Sequence, residues 1–259
     1  MPRATSDEAA IASIELCARQ LRLPSVRTEA KTLAAEAERS QQSYLGFLAA
    51  ILAAEIDLRD ERRRSRRVAE ARFPRIKQLS AFDLDACPSI NPATISMLAS
   101  ASYLDRGEPV VILGDSGTGK SHLLLGLGLA ACEQGRSVRY VTCASLANEL
   151  AEAADERRLS RLVARLAKVE LLILDELGYA HLDTRGAELL FSILTEREER
   201  SSVAVASNLP FSEWGQVIDD PRLLAAIIDR LTFNATILET GQDSYRLRST
   251  NERRRRAKA

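Results

Sequence analysis

The sequence predicts an α/β fold in which helices flank a five-stranded parallel sheet, together with a small all-α N-terminal domain. From residue 110 onward, short apolar runs alternate with helical patterns, as is typical of buried parallel strands separated by helices. Before residue 78, apolar residues instead recur at spacings of three and four, which predicts helices. The chain has 259 residues, of which 46% are hydrophobic and 28% charged, so it is long enough and apolar enough to fold around a core.

The N-terminal domain is predicted to span residues 1–78, with helix over most of residues 8–72. Pro24 should interrupt the first helical segment, and Ser43 should cap the third helix. That third helix carries apolar residues at helical spacing and then nine basic and three acidic residues between Arg59 and Lys77. Pro and Gly punctuation after residue 80 places a domain boundary near residue 78.

The second domain is predicted over residues 79–245 and begins with a short helix, Thr94–Asp105. The predicted strands are Val110–Leu113, Val138–Thr142, Leu171–Asp175, Ser202–Ser207 and Ala235–Leu238. The predicted helices between them are Lys120–Gln134, Ser145–Ala154, Leu159–Ala167, Asp183–Arg200 and Pro221–Leu231. Residues 246–259 form a basic C-terminal tail.

The net charge is zero, but it is distributed unevenly along the chain. Residues 1–78 carry 15 basic and 11 acidic residues, residues 79–245 carry 14 and 24, and residues 246–259 carry 7 and 1. Basic ends around an acidic middle indicate contact with nucleic acid phosphates. The basic segments lack interleaved aromatic residues, which favours the backbone of duplex DNA, without sequence preference, over stacking on single strands.

Two sets of arginines are candidates for this DNA contact. The first set follows the apolar part of the third helix and comprises Arg62, Arg63, Arg64, Arg66 and Arg67. The second set shares one face of a later helix and comprises Arg158, Arg161 and Arg165. Solvated surface charge is the competing interpretation of both sets.

Several classes of protein are not supported by the sequence. The longest charge-free apolar run has about ten residues, which is too short to span a membrane, and no secretory signal is visible at the N-terminus. Four scattered cysteines without a CxxC pair indicate reduced thiols and a cytoplasmic location. With two histidines, a zinc cluster is not expected.

The segment from Gly114 to Ser121 fits the phosphate-binding motif G-x-x-x-x-G-K-[ST] at every required position, between a predicted strand and a predicted helix. Lys120 is expected to reach the β and γ phosphates of a nucleotide, and Ser121 to bind Mg²⁺. The predicted nucleotide-binding residues are Gly114, Asp115, Ser116, Gly117, Thr118, Gly119, Lys120, Ser121 and His122.

Two later strands end in polar residues that complete the predicted site. Leu171–Leu174 leads into Asp175 and Glu176, at the edge where ligands bind in open α/β sheets. Asp175 is expected to hold Mg²⁺, and Glu176 to orient and deprotonate the attacking water. Asn208, after the next predicted strand, is placed to hydrogen-bond the γ-phosphate or that water. Because a carboxylate stands where a water activator is needed, hydrolysis of ATP is favoured over phosphoryl transfer to a small molecule.

These motifs, taken in order, resemble IstB-type proteins, which are AAA+ ATPases that assist an insertion-sequence transposase and are similar to DnaC-type helicase loaders. The resemblance covers about residues 75–250. The segments that carry it are Gly114–Ser121, Leu171–Tyr179, Ala206–Pro210, Ile228–Leu231, Asp243–Arg246 and the entry segment Phe82–Asn91.

This resemblance implies a P-loop AAA+ ATPase fold, a transposase partner and assembly into a homo-oligomer. It implies that Asn208 is a sensor of the γ-phosphate and that Arg246 is a second sensor. It also implies that Arg230 is an arginine finger that acts in trans on the nucleotide of a neighbouring subunit.

Three other functions stay open on the sequence alone. A helicase loader would keep the ATPase and use the N-terminal domain to bind a helicase. A structural DNA-binding protein would use ATP only as an assembly ligand, although Glu176 argues against this. A small-molecule kinase would need an acceptor site that the sequence does not show.

Overall fold

The computed structural model describes residues 3–241 and Tyr245, so the predicted sensor Arg246 and the basic tail lie outside the described residues. The chain divides into two compact units, Met1–Ser65 and Arg66–Ala259. This division falls inside the third helix and not near residue 78. The reason is that Ala71 is fully buried in the core of the second unit, where Val68 and Phe73 also pack.

The first unit is helical, as predicted. It contains α1 (Arg3–Gln20), α2 (Pro24–Arg39) and the start of α3 (Tyr44–Ala71). Pro24 takes the first position of α2, where a backbone N–H would have no hydrogen-bond partner within the helix. Ser43 Oγ accepts a hydrogen bond from Gly46 N at 3.1 Å, which confirms the predicted cap of α3.

One face of α3 is apolar but not covered. Leu45, Leu48, Leu52 and Ile56 follow the helical period, yet all four side chains are about half exposed or more. The buried side of α3 in this unit carries Ile51 and the carboxylate of Glu55. Glu55 Oε2 accepts a hydrogen bond from Ser25 N at 2.9 Å, so an α3 side chain caps the start of α2.

One element of the second unit differs from the sequence prediction. The predicted helix Thr94–Asp105 is instead α4 (Pro92–Ala99) followed by a separate 3₁₀ turn, Ser102–Arg106. Ala101 separates the two because it adopts a left-handed backbone with φ of 54°, which a continuous helix does not allow.

The remaining elements follow the predicted order, and their ends differ from the predicted ones by at most three residues. The strands are β1 (Val110–Leu113), β2 (Val138–Thr142), β3 (Leu171–Leu177), β4 (Ser202–Ser207) and β5 (Thr236–Glu239). The helices are α5 (Lys120–Glu133), α6 (Cys143–Asp155), α7 (Leu159–Ala167), α8 (Thr184–Arg197) and α9 (Pro221–Thr232).

The five strands of the described residues are all parallel, in the order β2-β3-β4-β1-β5. Two apolar clusters cover the two faces of this sheet. Because β4 lies between β1 and β3, the loops that follow these three strands meet at one edge. No helix in the described part of the chain is both long and apolar enough to cross a membrane.

Candidate nucleotide-binding site

The loop after β1 is held in a tight curve before α5 begins. Gly114 and Gly119 have φ of 148° and 106°, values that favour glycine. Lys120 Nζ donates a hydrogen bond to Asp115 O at 2.7 Å, and Asp115 N donates to Gly241 O at 3.1 Å. The hydroxyls of Thr118 and Thr240 also form a hydrogen bond, 2.5 Å long, so the segment after β5 helps to hold the loop in place.

A cleft of about 420 Å³ opens at the carboxyl edge of the sheet. It brings together most of the predicted nucleotide site, namely Ser116, Gly117, Gly119, Lys120, Ser121, His122, Asp175 and Glu176. Arg75, Lys77, Tyr179, Ala206 and Tyr245 line the same cleft. Gly114, Asp115 and Thr118 do not line it but form the base of the loop.

Asp175 is buried at the end of β3, and two donors fix its carboxylate. Tyr140 on the neighbouring strand β2 donates its hydroxyl to Asp175 Oδ2 at 3.0 Å. Glu176 N donates to Asp175 Oδ1 at 2.9 Å. Burial, together with the nearby Asp175 charge, raises the pKa of Tyr140, so its hydroxyl remains protonated and continues to donate.

Glu176 reaches the cleft because of an irregularity in β3. The register of β3 against β4 shifts between Leu174 and Leu177, which accommodates one extra residue in β3. Within this bulge Glu176 has φ of 64°, an unfavourable value for a residue other than glycine. Its side chain is exposed in the cleft, whereas those of Asp175 and Leu177 on either side are buried.

The residues present fit a magnesium ion. Ser121 and Asp175 offer a hydroxyl and a carboxylate oxygen to the same cleft, and Mg²⁺ prefers a few protein oxygens supplemented by water and phosphate. No cluster of three or more His, Cys, Asp or Glu side chains suited to a metal occurs among the described residues.

Asn208 follows β4, between the phosphate-binding loop and Glu176 in the order of the sheet. It does not line the cleft. Its Oδ1 is buried and has no hydrogen-bond partner among the described residues, and a Cβ added to Gly178 would lie 2.5 Å from it. An unpaired buried oxygen beside the loop that follows Glu176 is compatible with the predicted sensor role.

Arg230 lies near the end of α9, away from its own nucleotide cleft. It lines a depression of about 220 Å³ together with Glu108 and Pro109, which precede β1, at the opposite edge of the sheet. Its guanidinium lies 3.3 Å from Glu198 and stacks over the ring of Phe191, with 4.3 Å to the centroid. A role at a nucleotide site therefore requires the site of another subunit.

The arginines predicted to contact DNA differ in whether a carboxylate pairs with their charge. Within the described residues, Arg62, Arg63 and Arg64 are exposed and have no ion-pair partner. Arg66 and Arg67 both pair with Glu70, and Arg67 also donates to Gly135 O, which gives it a structural role. In the second set, Arg158 pairs with Glu156 and Arg165 with Glu149, whereas Arg161 is exposed and unpaired in this part of the chain.

Sequence reasoning assigned no role in the site to five residues that line the cleft, nor to Tyr140, which contacts Asp175. Arg75 and Lys77 were included in the basic segment ascribed to DNA, and Tyr179, Ala206 and Tyr245 were quoted only as parts of motifs. Tyr140 carries no local motif; its contact with Asp175 depends on the pairing of β2 with β3, which only the folded sheet shows.

Comparison with solved structures agrees with this architecture. AMPPCP-bound DnaA from Aquifex aeolicus superposes with a TM-score of 0.57 at 21% identity, over 70% of this chain and 55% of the DnaA chain. The structure of DnaI superposes with a TM-score of 0.53 at 21% identity, over 63% of this chain and 90% of that one. At this identity the likeness shows the fold, which is that of AAA+ P-loop proteins.

Sequence relatives are closer. A putative insertion sequence ATP-binding protein of Sinorhizobium fredii is 38% identical over 236 residues, 91% of this chain and 79% of the relative. The IS21 putative ATP-binding protein of Pseudomonas aeruginosa is 33% identical over 235 residues, 91% of this chain and 89% of the relative. The family model described as IstB-like ATP binding protein matches residues 16–253. The chain therefore belongs to the IstB-like ATP-binding protein family.

Proposed function

We propose that this protein hydrolyses ATP as a DNA-bound helper of an insertion-sequence transposase. The observation that carries this proposal is the convergence of Lys120, Asp175 and Glu176 in one cleft. Lys120 and the loop hold the phosphates, while Ser121 and Asp175 hold Mg²⁺, which supplies charge stabilisation to the phosphoryl group when bound. Glu176 accepts the proton of the attacking water.

The client and the nucleic acid are inferred from the relatives and from charge. The names of relatives that match about nine-tenths of this chain place them with insertion sequences, which supports a transposase as the partner. The exposed arginines Arg62–Arg64 supply a surface for the phosphates of duplex DNA without sequence preference. In this function, bound ATP favours assembly of the protein on DNA, and hydrolysis of ATP releases the protein from DNA. The hydrolysis step thereby regulates target selection in the cytoplasm.

The deciding experiment is ATP hydrolysis by the purified protein, with and without duplex DNA, beside Lys120→Ala and Glu176→Gln. We expect DNA to stimulate phosphate release and both variants to abolish it, while Glu176→Gln still binds ATP and DNA. Hydrolysis that is indifferent to DNA would point to a protein client, such as a helicase. The absence of hydrolysis in all conditions would leave ATP as an assembly ligand and overturn the proposal.

The position of Arg230 leads to a prediction about assembly. If Arg230 acts in trans, a subunit with Arg230→Ala and a subunit with Lys120→Ala are each inactive alone but form functional sites where they meet. A 1:1 mixture should recover about a quarter of wild-type activity when subunits exchange at random. Mixing that restores nothing, under conditions where size-exclusion chromatography shows mixed oligomers, would place the essential arginine elsewhere.

A further inference from the structure

The segment that joins α3 to the core of the second unit crosses the helix of the phosphate-binding loop. We call residues 72–79 the connector. Arg72, with φ of 58°, turns the chain out of α3. The connector then contacts α5 near both of its own ends, through Phe73 at one end and Leu79 at the other. Gln78 O also lies 2.9 Å from His122 Nε2, on the first turn of α5.

Two glycines of α5 form the groove that receives the connector. A Cβ added to Gly126 would lie 2.7 Å from Leu79 Cδ2, and one added to Gly128 would lie 2.8 Å from Phe73 Cε1. At either distance a side chain would force the connector to shift away from α5. Glycine inside a helix is unfavourable by roughly 1 kcal/mol relative to alanine, so this close approach comes at a cost in helix stability. The two glycines therefore let the connector pack directly against α5.

Between these two contacts the connector directs two cations to the nucleotide cleft. Arg75 and Lys77 both line the cleft beside Ser121 and Asp175. In the described part of the chain, neither has a hydrogen bond or an ion pair. Lys77 is half-buried, and a partly desolvated ammonium without an anionic partner is unfavourable until an anion enters the cleft.

Arg75 and Lys77 add positive charge to the cleft. The cleft holds two carboxylates, Asp175 and Glu176, while the phosphate-binding loop contributes Lys120 as a cation. A magnesium-bound triphosphate keeps a net negative charge, so further cations beside it are favourable.

We propose that Arg75 and Lys77 are phosphate ligands of bound ATP, supplied from outside the loop Gly114–Ser121. This inference rests on the proposed nucleotide site and adds to it a contact from the chain that leads out of the basic helix α3. A concave cleft shared with Lys120 suits the phosphates of a nucleotide, whereas a duplex backbone needs an exposed surface such as that of Arg62–Arg64.

The test measures nucleotide affinity in the full-length Glu176→Gln protein, which prevents turnover. The variant is Arg75→Gln with Lys77→Gln, and the matched control is Arg72→Gln, an exposed cation of the same connector that does not line the cleft. ATP, AMP and inorganic triphosphate compete with a fluorescent ATP analogue, and thermal unfolding checks the fold. We expect ATP and triphosphate to bind on the order of 10- to 100-fold more weakly to the double variant. AMP affinity and the Arg72→Gln control should change by less than about twofold.

Three outcomes would overturn the inference. One is an ATP affinity in the double variant that stays within about twofold of the parent. Another is an equal loss for ATP and AMP, which would mean general damage to the cleft. The third is unchanged ATP binding with weaker nucleotide-free binding to duplex DNA, which would make the two cations DNA ligands. Failure of the nucleotide site itself would be recognised separately, because Lys120→Ala would then bind ATP like the parent.

Discussion

The orientation of the Asp175 carboxylate depends on a neighbouring side chain that sequence patterns do not predict. Its position at the end of a buried apolar strand predicts a metal-binding carboxylate. Its orientation, however, comes from the hydroxyl of Tyr140, which is 35 positions earlier in the chain and on another strand. Motifs specify which groups take part in the chemistry, and strand pairing specifies how these groups are held.

The first prediction concerns this hydrogen bond. Tyr140→Phe removes the donor and frees the Asp175 carboxylate to rotate, so hydrolysis should fall about tenfold while ATP affinity changes little. The measurement compares phosphate release at saturating ATP with equilibrium binding of ATP.

Tyr103→Phe is the matched control, since the buried Tyr103 hydroxyl has no hydrogen-bond partner among the described residues. That variant should keep full activity and equal or exceed the parent in thermal stability. A proportional loss of binding and turnover in Tyr140→Phe would indicate a packing role, because its ring also meets Phe73 edge-on at 6.5 Å.

The second prediction concerns the backbone of Glu176. Its positive φ favours glycine, so Glu176→Gly should be more stable than Glu176→Ala by about 1 kcal/mol, although both should lose hydrolysis. Chemical denaturation of both variants measures this difference. At Glu188, an exposed residue inside α8, the order should reverse because glycine is unfavourable in a helix. The same order at both positions would mean that the backbone of Glu176 is not strained.

At the scale of the elements, packing against neighbouring elements determines features that sequence patterns do not show. The pattern alone predicted an unbroken helix from Thr94 to Asp105, because nothing in its composition indicates the left-handed turn at Ala101. Ala101 is buried between α4 and the following 3₁₀ turn, so tertiary packing imposes that turn. Likewise, the periodicity of α3 correctly predicted a helix but did not show that Leu45, Leu48 and Leu52 would stay exposed.

The third prediction concerns the capping of α2 by Glu55. Glu55→Ala removes a buried acceptor from Ser25 N and the partner of Arg59, and should destabilise the first unit by about 2 kcal/mol. Hydrogen exchange followed by mass spectrometry should show reduced protection at the start of α2. Glu61→Ala, an exposed carboxylate later on the same helix, serves as the control and should leave protection unchanged. If both variants exchange alike, Glu55 does not stabilise α2.

At the scale of the whole molecule, basic residues that are close together in the sequence have different partners and surroundings in the structure. The basic run from Arg59 to Lys77 suggested one DNA-contacting stretch. In the structure this run contains the exposed Arg62–Arg64, which have no ion pair among the described residues, the ion-paired Arg59, Arg66 and Arg67, and the cleft-lining Arg75 and Lys77. The parallel sheet and the phosphate-binding motif could be predicted from local patterns; this division could not, because it depends on which carboxylates lie nearby.

The fourth prediction follows from this division. Replacing Arg62, Arg63 and Arg64 together by Gln should weaken duplex binding and lower the slope of log K against log salt by about 2 to 3. Replacing Arg158, Arg161 and Arg165 by Gln removes the same charge but from a set in which two members already pair with glutamates. It should lower the slope by less than about 1. Fluorescence anisotropy with a duplex over a range of salt concentrations measures both slopes, and equal slopes would contradict the assignment.

The glycine groove on α5 also determines where the chain can be divided. A recombinant fragment starting at residue 79, where sequence composition places the domain boundary, would lack Phe73 and Ala71. It would leave Gly128 and the buried surface around it open to water. Exposed apolar grooves of this kind promote association between molecules. A fragment that keeps the second unit intact therefore has to begin at or before Arg66, within the helix that the sequence assigns to the preceding domain.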